Sequence, residues 1–234
     1  MRGRDRRFKE TVLTNERQWR AVDAYLIETI VRQDHALDAA LAESEEAGLP
    51  PIEVSPPHAK LLHLIARVMG ARRALEIGTL GGYSTIWIAR ALPEDGWVVT
   101  LEADERHAEV ARRNLIRAGL SGKVEVRLGA ALDSLPRIEA EGLGPFDFIF
   151  IDADKENNEH YLAWALRLAR PGTAIVVDNV VRSGRILNAA APDSQVAGVR
   201  RMFEMMAREP RLQATAVQTV GAKGWDGFAL AVVE

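Results

Sequence analysis

Two short stretches bring together the side chains best suited to chemistry. Asp152-Ala153-Asp154-Lys155 follows the apolar run Phe146–Ile151, and Asp178-Asn179 follows an apolar run over residues 173–177. If the two runs are neighbouring strands, their carboxyl ends deliver two carboxylates, an amide and an amine into one crevice. Asp152, Asp178 and Asn179 form an all-oxygen set of the kind Mg²⁺ takes, leaving about three of its roughly six positions open. Two adjacent hydroxyls of a ligand would fill two of those positions. Read singly, Asp and Asn after strands are ordinary turn formers and helix caps, and Asp154-Lys155 is also a fitting solvated helix start.

A second constellation lies upstream. Residues 73–77 run into Glu76-Ile77-Gly78-Thr79-Leu80-Gly81-Gly82-Tyr83-Ser84, a glycine-rich turn before a helical stretch. At the end of a first parallel strand such a turn lets a nucleotide-like ligand approach the backbone, although glycines also serve simply to tighten a strand-to-helix turn. Two residues separate Gly78 from Gly81, where the dinucleotide fingerprint has one, which disfavours a pyrophosphate and hence a nicotinamide dehydrogenase. Glu102, just past the second strand, is placed to accept ribose hydroxyls, and Gly129-Ala130-Ala131 and Asp133 follow the third, where an adenine edge would lie. Glu76 would repel a phosphate and favour a cationic ligand. S-adenosylmethionine, with its sulfonium and ammonium groups, is such a ligand.

The elements that must position these groups alternate. Apolar runs over 73–77, 97–101, 123–128, 146–151 and 173–177 are separated by amphipathic stretches, the pattern of a parallel, doubly wound, Rossmann-like α/β sheet. Residues 213–220 and 227–233 predict an antiparallel pair near the sheet edge, with Asp226-Gly227 as the turn signal. Ahead of them, Trp19, Val22, Tyr25, Leu26, Ile30, Leu37 and Leu41 have helical spacing, and a further helix opens at Ser55-Pro56-Pro57 with Leu61, Leu62, Leu64, Ile65 and Val68 as its apolar face. The expected division is an N-terminal basic tail and helices over 1–54 and a catalytic domain over 55–234.

Composition narrows the chemistry. The 234 residues are 47% apolar, enough for one large core. No apolar run is long enough to span a bilayer, and the cytoplasm is the expected compartment. Zero cysteines exclude disulfides, thiolate metal sites and cysteine nucleophiles, so a metal here is a hard cation held by oxygen or by the five histidines. The net charge of −3 argues against a surface built as a whole for nucleic acid. The basic cluster Arg2, Arg4, Arg6, Arg7 and Lys9 is either a solvated tail or an RNA-attracting arm.

Leu75-Glu76-Ile77-Gly78-Thr79-x-x-Gly82-Tyr83-Ser84, Phe146-Asp147-Phe148-Ile149-Phe150-Ile151-Asp152-Ala153-Asp154-Lys155 and Asp178-Asn179-Val180-Val181-x-x-Gly184 together resemble the cation-dependent O-methyltransferases, the family of the plant caffeoyl-coenzyme A enzymes, with catechol O-methyltransferase as a more distant relative. The likeness runs from about Ser55 to the C-terminus. It implies a seven-stranded sheet with its last strand antiparallel, and a homodimer. By the same resemblance Asp152, Asp178 and Asn179 hold Mg²⁺ or another divalent cation, and Lys155 acts as base on the attacked hydroxyl. Glu76, Gly78, Thr79, Gly82, Ser84, Glu102, Ala131 and Asp152 would line the S-adenosylmethionine site. The implied activity is methyl transfer to one hydroxyl of a vicinal dihydroxy, catechol-like phenol. The alternative acceptor is a tRNA 5-hydroxyuridine, and a non-catalytic ligand-binding role is disfavoured by the presence of Lys155 and all three ligands. The chain departs from the family pattern at His58-Ala59, where many members have Gln-Gly, and at Asn158, where they have an aromatic residue. Tyr161 is kept. Residues 182–194 are expected to form a loop over the site.

Overall fold

The computed structural model describes residues 15–188 and 193–234. The basic cluster at residues 2–9 lies outside them. Helix α1 covers residues 15–26 and continues into a π-helical turn, Ile27–Val31, which Arg32 ends with a left-handed φ of 50°. Helix α2 (His35–Glu46) starts where Asp34 accepts the Leu37 N–H, a side-chain cap for an otherwise orphaned donor. Helix α3 is Pro56–Val68, with proline in its first turn, where no N–H is missed.

The sheet contains seven strands in the order β3-β2-β1-β4-β5-β7-β6. β1 (Arg73–Ile77), β2 (Trp97–Glu102), β3 (Val124–Leu128), β4 (Phe146–Ile151) and β5 (Ala169–Asp178) are parallel neighbours. β7 (Gly224–Val233) joins β5 antiparallel, and β6 (Leu212–Gly221) forms the edge, so the expected sheet with its last strand antiparallel is the one observed. Helices α4 (Tyr83–Ala91), α5 (Glu105–Arg117), α6 (Ala131–Ala140), α7 (Asn158–Arg167) and α8 (Ser194–Arg208) complete the chain. Among the described residues no helix is long and apolar enough to cross a membrane.

Helices cover both faces, which is why the central strands read as continuous apolar runs: all six residues of β4 are buried. The pleat sends Phe148 and Phe150 into the layer with α2, α3 and α4, and Ile149 and Ile151 into the layer with α6, α7 and α8, which Phe146 also joins because the register shifts between Phe146 and Phe148. At the other end of the strands Asp147 accepts the Arg72 and Arg73 N–H groups at 2.8 and 3.0 Å and the Arg170 guanidinium at 2.9 Å, tying β1, β4 and β5 together. Register then decides where the chemistry falls. Ile77 pairs with Ile151 and Ile151 with Val177, so three strands end side by side and deliver Gly78, Asp152 and Asp178 to the same edge. That edge is where the strand order reverses, because β2 leaves β1 on one side and β4 on the other.

Two local expectations are corrected. Asp226-Gly227 is not the hairpin turn: Asp226 pairs with Thr219 and Gly227 with Gln218, and the chain reverses at Ala222-Lys223. Asp23 of α1 holds that reversal by accepting the Ala222 N–H at 2.6 Å. On α3 the buried stripe is Ala59, Leu62 and Ala66, while Leu64 and Val68 are exposed, because the apolar residues cover more of the circumference than its neighbours do. On α1, Val22, Tyr25 and Ile30 face outward.

Candidate active site

Gly78 shows why the turn after β1 must be glycine. Its φ is 100°, and a Cβ there would stand 2.1 Å from the Asp152 carbonyl oxygen. The residue thus lets the ends of β1 and β4 close together. Gly82, with φ 80°, packs against Ala111 of α5 and starts α4. It is absent from the cavity wall in which a cofactor role would place it, whereas Gly78, Thr79, Leu80, Gly81 and Ser84 are in it.

Glu76 is fully buried at the end of β1. Ser84 Oγ donates to Oε1 at 2.6 Å, and the Thr85 and Thr100 hydroxyls donate to Oε2 at 2.5 and 2.6 Å. Burial pushes this carboxyl up to about 7 despite the three hydroxyls, with the Asp152 charge adding to the rise. Glu76 therefore stands behind the wall and reaches the cavity through Ser84, instead of facing a ligand directly as its sequence position suggests. Glu102 does face the cavity. Its Oε2 accepts the Thr79 and Leu80 N–H groups at 3.2 and 2.7 Å, and its Oε1 accepts the Asp104 N–H at 3.0 Å and lies 3.5 Å from His107 Nδ1. The glycine turn thus fixes the acidic group that would meet a ribose. Gly129 and Ala131 belong to the same wall, while Asp133 is exposed on α6 outside it.

The second cluster forms where β4 and β5 end. Lys155 is buried, with Nζ donating to Asp152 Oδ1 at 2.8 Å, while Asp154 is exposed and accepts from Tyr161 Oη and Asn157 Nδ2. The pair that resembled a solvated helix start is therefore split, one member in and one out. Asp178 is buried, and burial together with the Asp152 charge drives its carboxyl well above the usual carboxylate range, with Lys155 and the Asn179 N–H opposing. Asn179 holds a left-handed φ of 57°, and its N–H donates to Asp178 Oδ1 at 2.8 Å.

His58 belongs here too. One of the departures from the family pattern, it is half-buried, with Nδ1 3.5 Å from Asp178 Oδ2, its ring tilted 5.0 Å from Phe228, and Nε2 buried without a partner. Burial lowers its pKa, partly offset by Asp152. Asn158, the other departure, is fully buried and neither amide atom is hydrogen-bonded, away from both cavities.

Two cavities meet at these residues. One of about 550 Å³ runs from Glu102, His107 and Ala131 past Gly78 and Ser84 to Asp152, Lys155, Asn179 and Arg182. The other, about 510 Å³, opens from Asp178 and Asn179 between His58, Phe228 and the tip of the β6–β7 hairpin. Ile52, Glu53, Val54, Asn179 and Arg182 line both. Arg182 sat within the expected loop but carried no sequence signal of its own.

A divalent cation fits the donor set at the junction. Among the described residues no three His, Asp or Glu side chains converge as a ligand cluster, and the set is two carboxylates and an amide. The Asp152 charge works against ionisation of Asp178, while Lys155 pairs with Asp152, so a cation held by both carboxylates would offset their mutual repulsion.

Residues 28–232 match the family model described as O-methyltransferase. The chain is 58% identical over 212 residues to a catechol O-methyltransferase of Mycobacterium tuberculosis, covering 91% of this chain and 94% of that one. Two solved structures superpose closely. An O-methyltransferase from Bacillus cereus in complex with SAH has a TM-score of 0.92 at 54% identity, covering 94% of this chain and 100% of its own. The O-methyltransferase TomG from Streptomyces achromogenes in complex with SAM has a TM-score of 0.91 at 49% identity, covering 93% and 98%. With the sheet order, the junction of the two cavities and these matches in agreement, the chain belongs to the O-methyltransferase family.

Proposed function

We propose that this chain transfers a methyl group from S-adenosylmethionine to one hydroxyl of a vicinal dihydroxy, catechol-like small molecule, with a divalent cation held by Asp152, Asp178 and Asn179. The observation that carries this reading is that Asp152 and Lys155 line the first cavity, Asp178 the second and Asn179 both, so that donor and acceptor would approach one another from opposite sides. The name of the mycobacterial relative and the SAM in the TomG complex support the same acceptor class and donor.

The donor's groups find counterparts along the first cavity. Glu102 would accept ribose hydroxyls, Gly129 and Ala131 would border the adenine, and Gly78, Thr79 and Ser84 would border the amino-acid end. A divalent cation would acidify and orient a coordinated hydroxyl, and S-adenosylmethionine would supply the electrophilic methyl. Lys155, beside Asp152, would act as a free amine and take up the proton that the acceptor hydroxyl loses. The buried position of Lys155 keeps bulk water from that proton. No side chain need be covalently modified, so the chain's contribution is alignment. The 1–54 segment serves substrate selection in this reading, since Asp23, Leu26, Pro51, Ile52, Glu53 and Val54 form part of the second cavity. The assembly we propose is a homodimer covering the outward residues of α1.

The test is methyl transfer from labelled S-adenosylmethionine to caffeic acid and, separately, to hydroxyuridine-containing tRNA, each with magnesium and with a chelator. Labelling of the catechol that stops under chelation is the expected result. Asp178→Ala should lower it by about 10³-fold while cofactor binding persists. Labelling that ignores the chelator overturns the metal assignment, and labelling of tRNA alone moves the acceptor to RNA.

A further inference from the structure

We infer that Arg182 selects the acceptor: its guanidinium receives an anionic substituent, a carboxylate, carried by the catechol-like molecule. This rests on the methyl-transfer reading above and adds to it the charge of the substrate.

The two cavity walls include three lysine or arginine side chains, and they differ in what they hold. Lys155 holds Asp152, and Lys223 holds Glu53 at 2.5 Å. Arg182, in both walls, makes no ion pair among the described residues. Its Nη2 donates to the amide oxygen of Gln195 at 2.6 Å, and its Nε is buried without a partner. Arginines close by in the chain are paired, Arg185 with Asp193 and Arg201 with Glu159. A guanidinium has five donors in a planar fork that matches a carboxylate, and a buried donor left unmade is unfavourable until a ligand satisfies it.

The loop holds Arg182 in place. Asn179, Arg182 and Ser183 have φ of 57°, 55° and 54°, conformations that side-chain-bearing residues keep only where the surroundings impose them. Asp226 imposes them by accepting the Val181 and Arg182 N–H groups on one oxygen at 3.0 and 2.9 Å. Gly184 seals the loop against Trp225, where a Cβ would lie 2.7 Å from the ring. The same rigid turn therefore carries a proposed cation ligand, Asn179, and, three residues on, a guanidinium with no ion pair among the described residues. It fixes the spacing between the chelated hydroxyls and a second, negative end of the acceptor. An amine there would meet a like charge, so the device also rejects cationic catechols.

The test uses 3,4-dihydroxybenzoate, its methyl ester and 3,4-dihydroxybenzylamine with magnesium and saturating S-adenosylmethionine. Wild type should prefer the acid to the ester by about 10- to 100-fold in kcat/KM, mainly through KM, the range expected for one charge-assisted contact. Arg182→Gln should bring that ratio close to one, and Arg182→Glu should turn the preference toward the amine. Titration with S-adenosylhomocysteine reports whether each variant still assembles its site. Wild type that methylates the ester as well as the acid overturns the inference without any variant. So does an acid-to-ester ratio unchanged in Arg182→Gln with cofactor affinity retained. Methylation of none of the three catechols by wild type removes the catechol reading itself, and this inference with it.

Discussion

Replacing Glu76 with glutamine separates stability from cofactor binding. The folded, unliganded protein holds this carboxyl at about 7 against an ordinary value of 4.5, chiefly through burial. Between those values the folded chain keeps a proton that the unfolded chain has released. The stabilisation from Glu76 is therefore fully present below about pH 4.5 and is lost as pH rises through about 7. At about 1.4 kcal/mol per pKa unit, the ionised side chain weakens the folded state by roughly 3 kcal/mol at pH 8, and most of that develops above pH 5. Glutamine mimics the protonated form, so Glu76→Gln should gain unfolding free energy over wild type by roughly 2 to 3 kcal/mol between pH 5 and pH 8. Asp178 titrates in both proteins and drops out of the difference. Cofactor binding should move the other way. A cationic ligand favours the ionised carboxyl, so wild-type affinity for S-adenosylmethionine should fall about tenfold from pH 8 to pH 6 and Glu76→Gln should be nearly flat. Denaturant unfolding and calorimetric titration over that range, with chelator present, read both effects. A stability difference that does not change with pH would show that Glu76 does not titrate in this window, and the reasoning would fail.

Two further outcomes follow from packing. Gly78→Ala forces a Cβ against the Asp152 carbonyl and should cost about 3 kcal/mol or more in denaturant unfolding, whereas Gly119→Ala, with open space at φ 71°, should cost only about 1 kcal/mol; equal effects would refute the close-approach argument. Tyr25→Glu places a charge on the outward apolar face of α1 and should convert the proposed dimer to a monomer near 25.8 kDa in light scattering, while wild type already running at that mass would remove the dimer.

The legible part of this chain is the part encoded by neighbours in sequence. Asp152, Asp178 and Asn179 could be placed together because each directly follows an apolar strand, and parallel strands end on one edge. The alternation of strands and helices gave the sheet its class for the same reason. What escaped depends on contacts between distant segments. Asp226-Gly227 has the composition of a turn, yet the Asp226 carboxylate is occupied by the Val181 and Arg182 N–H groups, more than forty residues away, and the real reversal at Ala222-Lys223 is held by Asp23, 199 residues upstream. Glu76 looked like a residue that greets a ligand, but three hydroxyls from α4 and β2 enclose it, and only the folded sheet brings Thr100 to its side. His58 and Arg182 are ordinary surface residues in a linear reading. The hairpin that carries Asp226 and Phe228 also stacks on one and orders the other, and so brings a scattered histidine and arginine into the wall of the proposed acceptor cavity. The chemistry proposed here thus sits at strand ends, where local pattern finds it, and the proposed choice of acceptor rests on packing across the sheet's far edge, where a substitution is expected to alter specificity without touching Asp152, Lys155, Asp178 or Asn179.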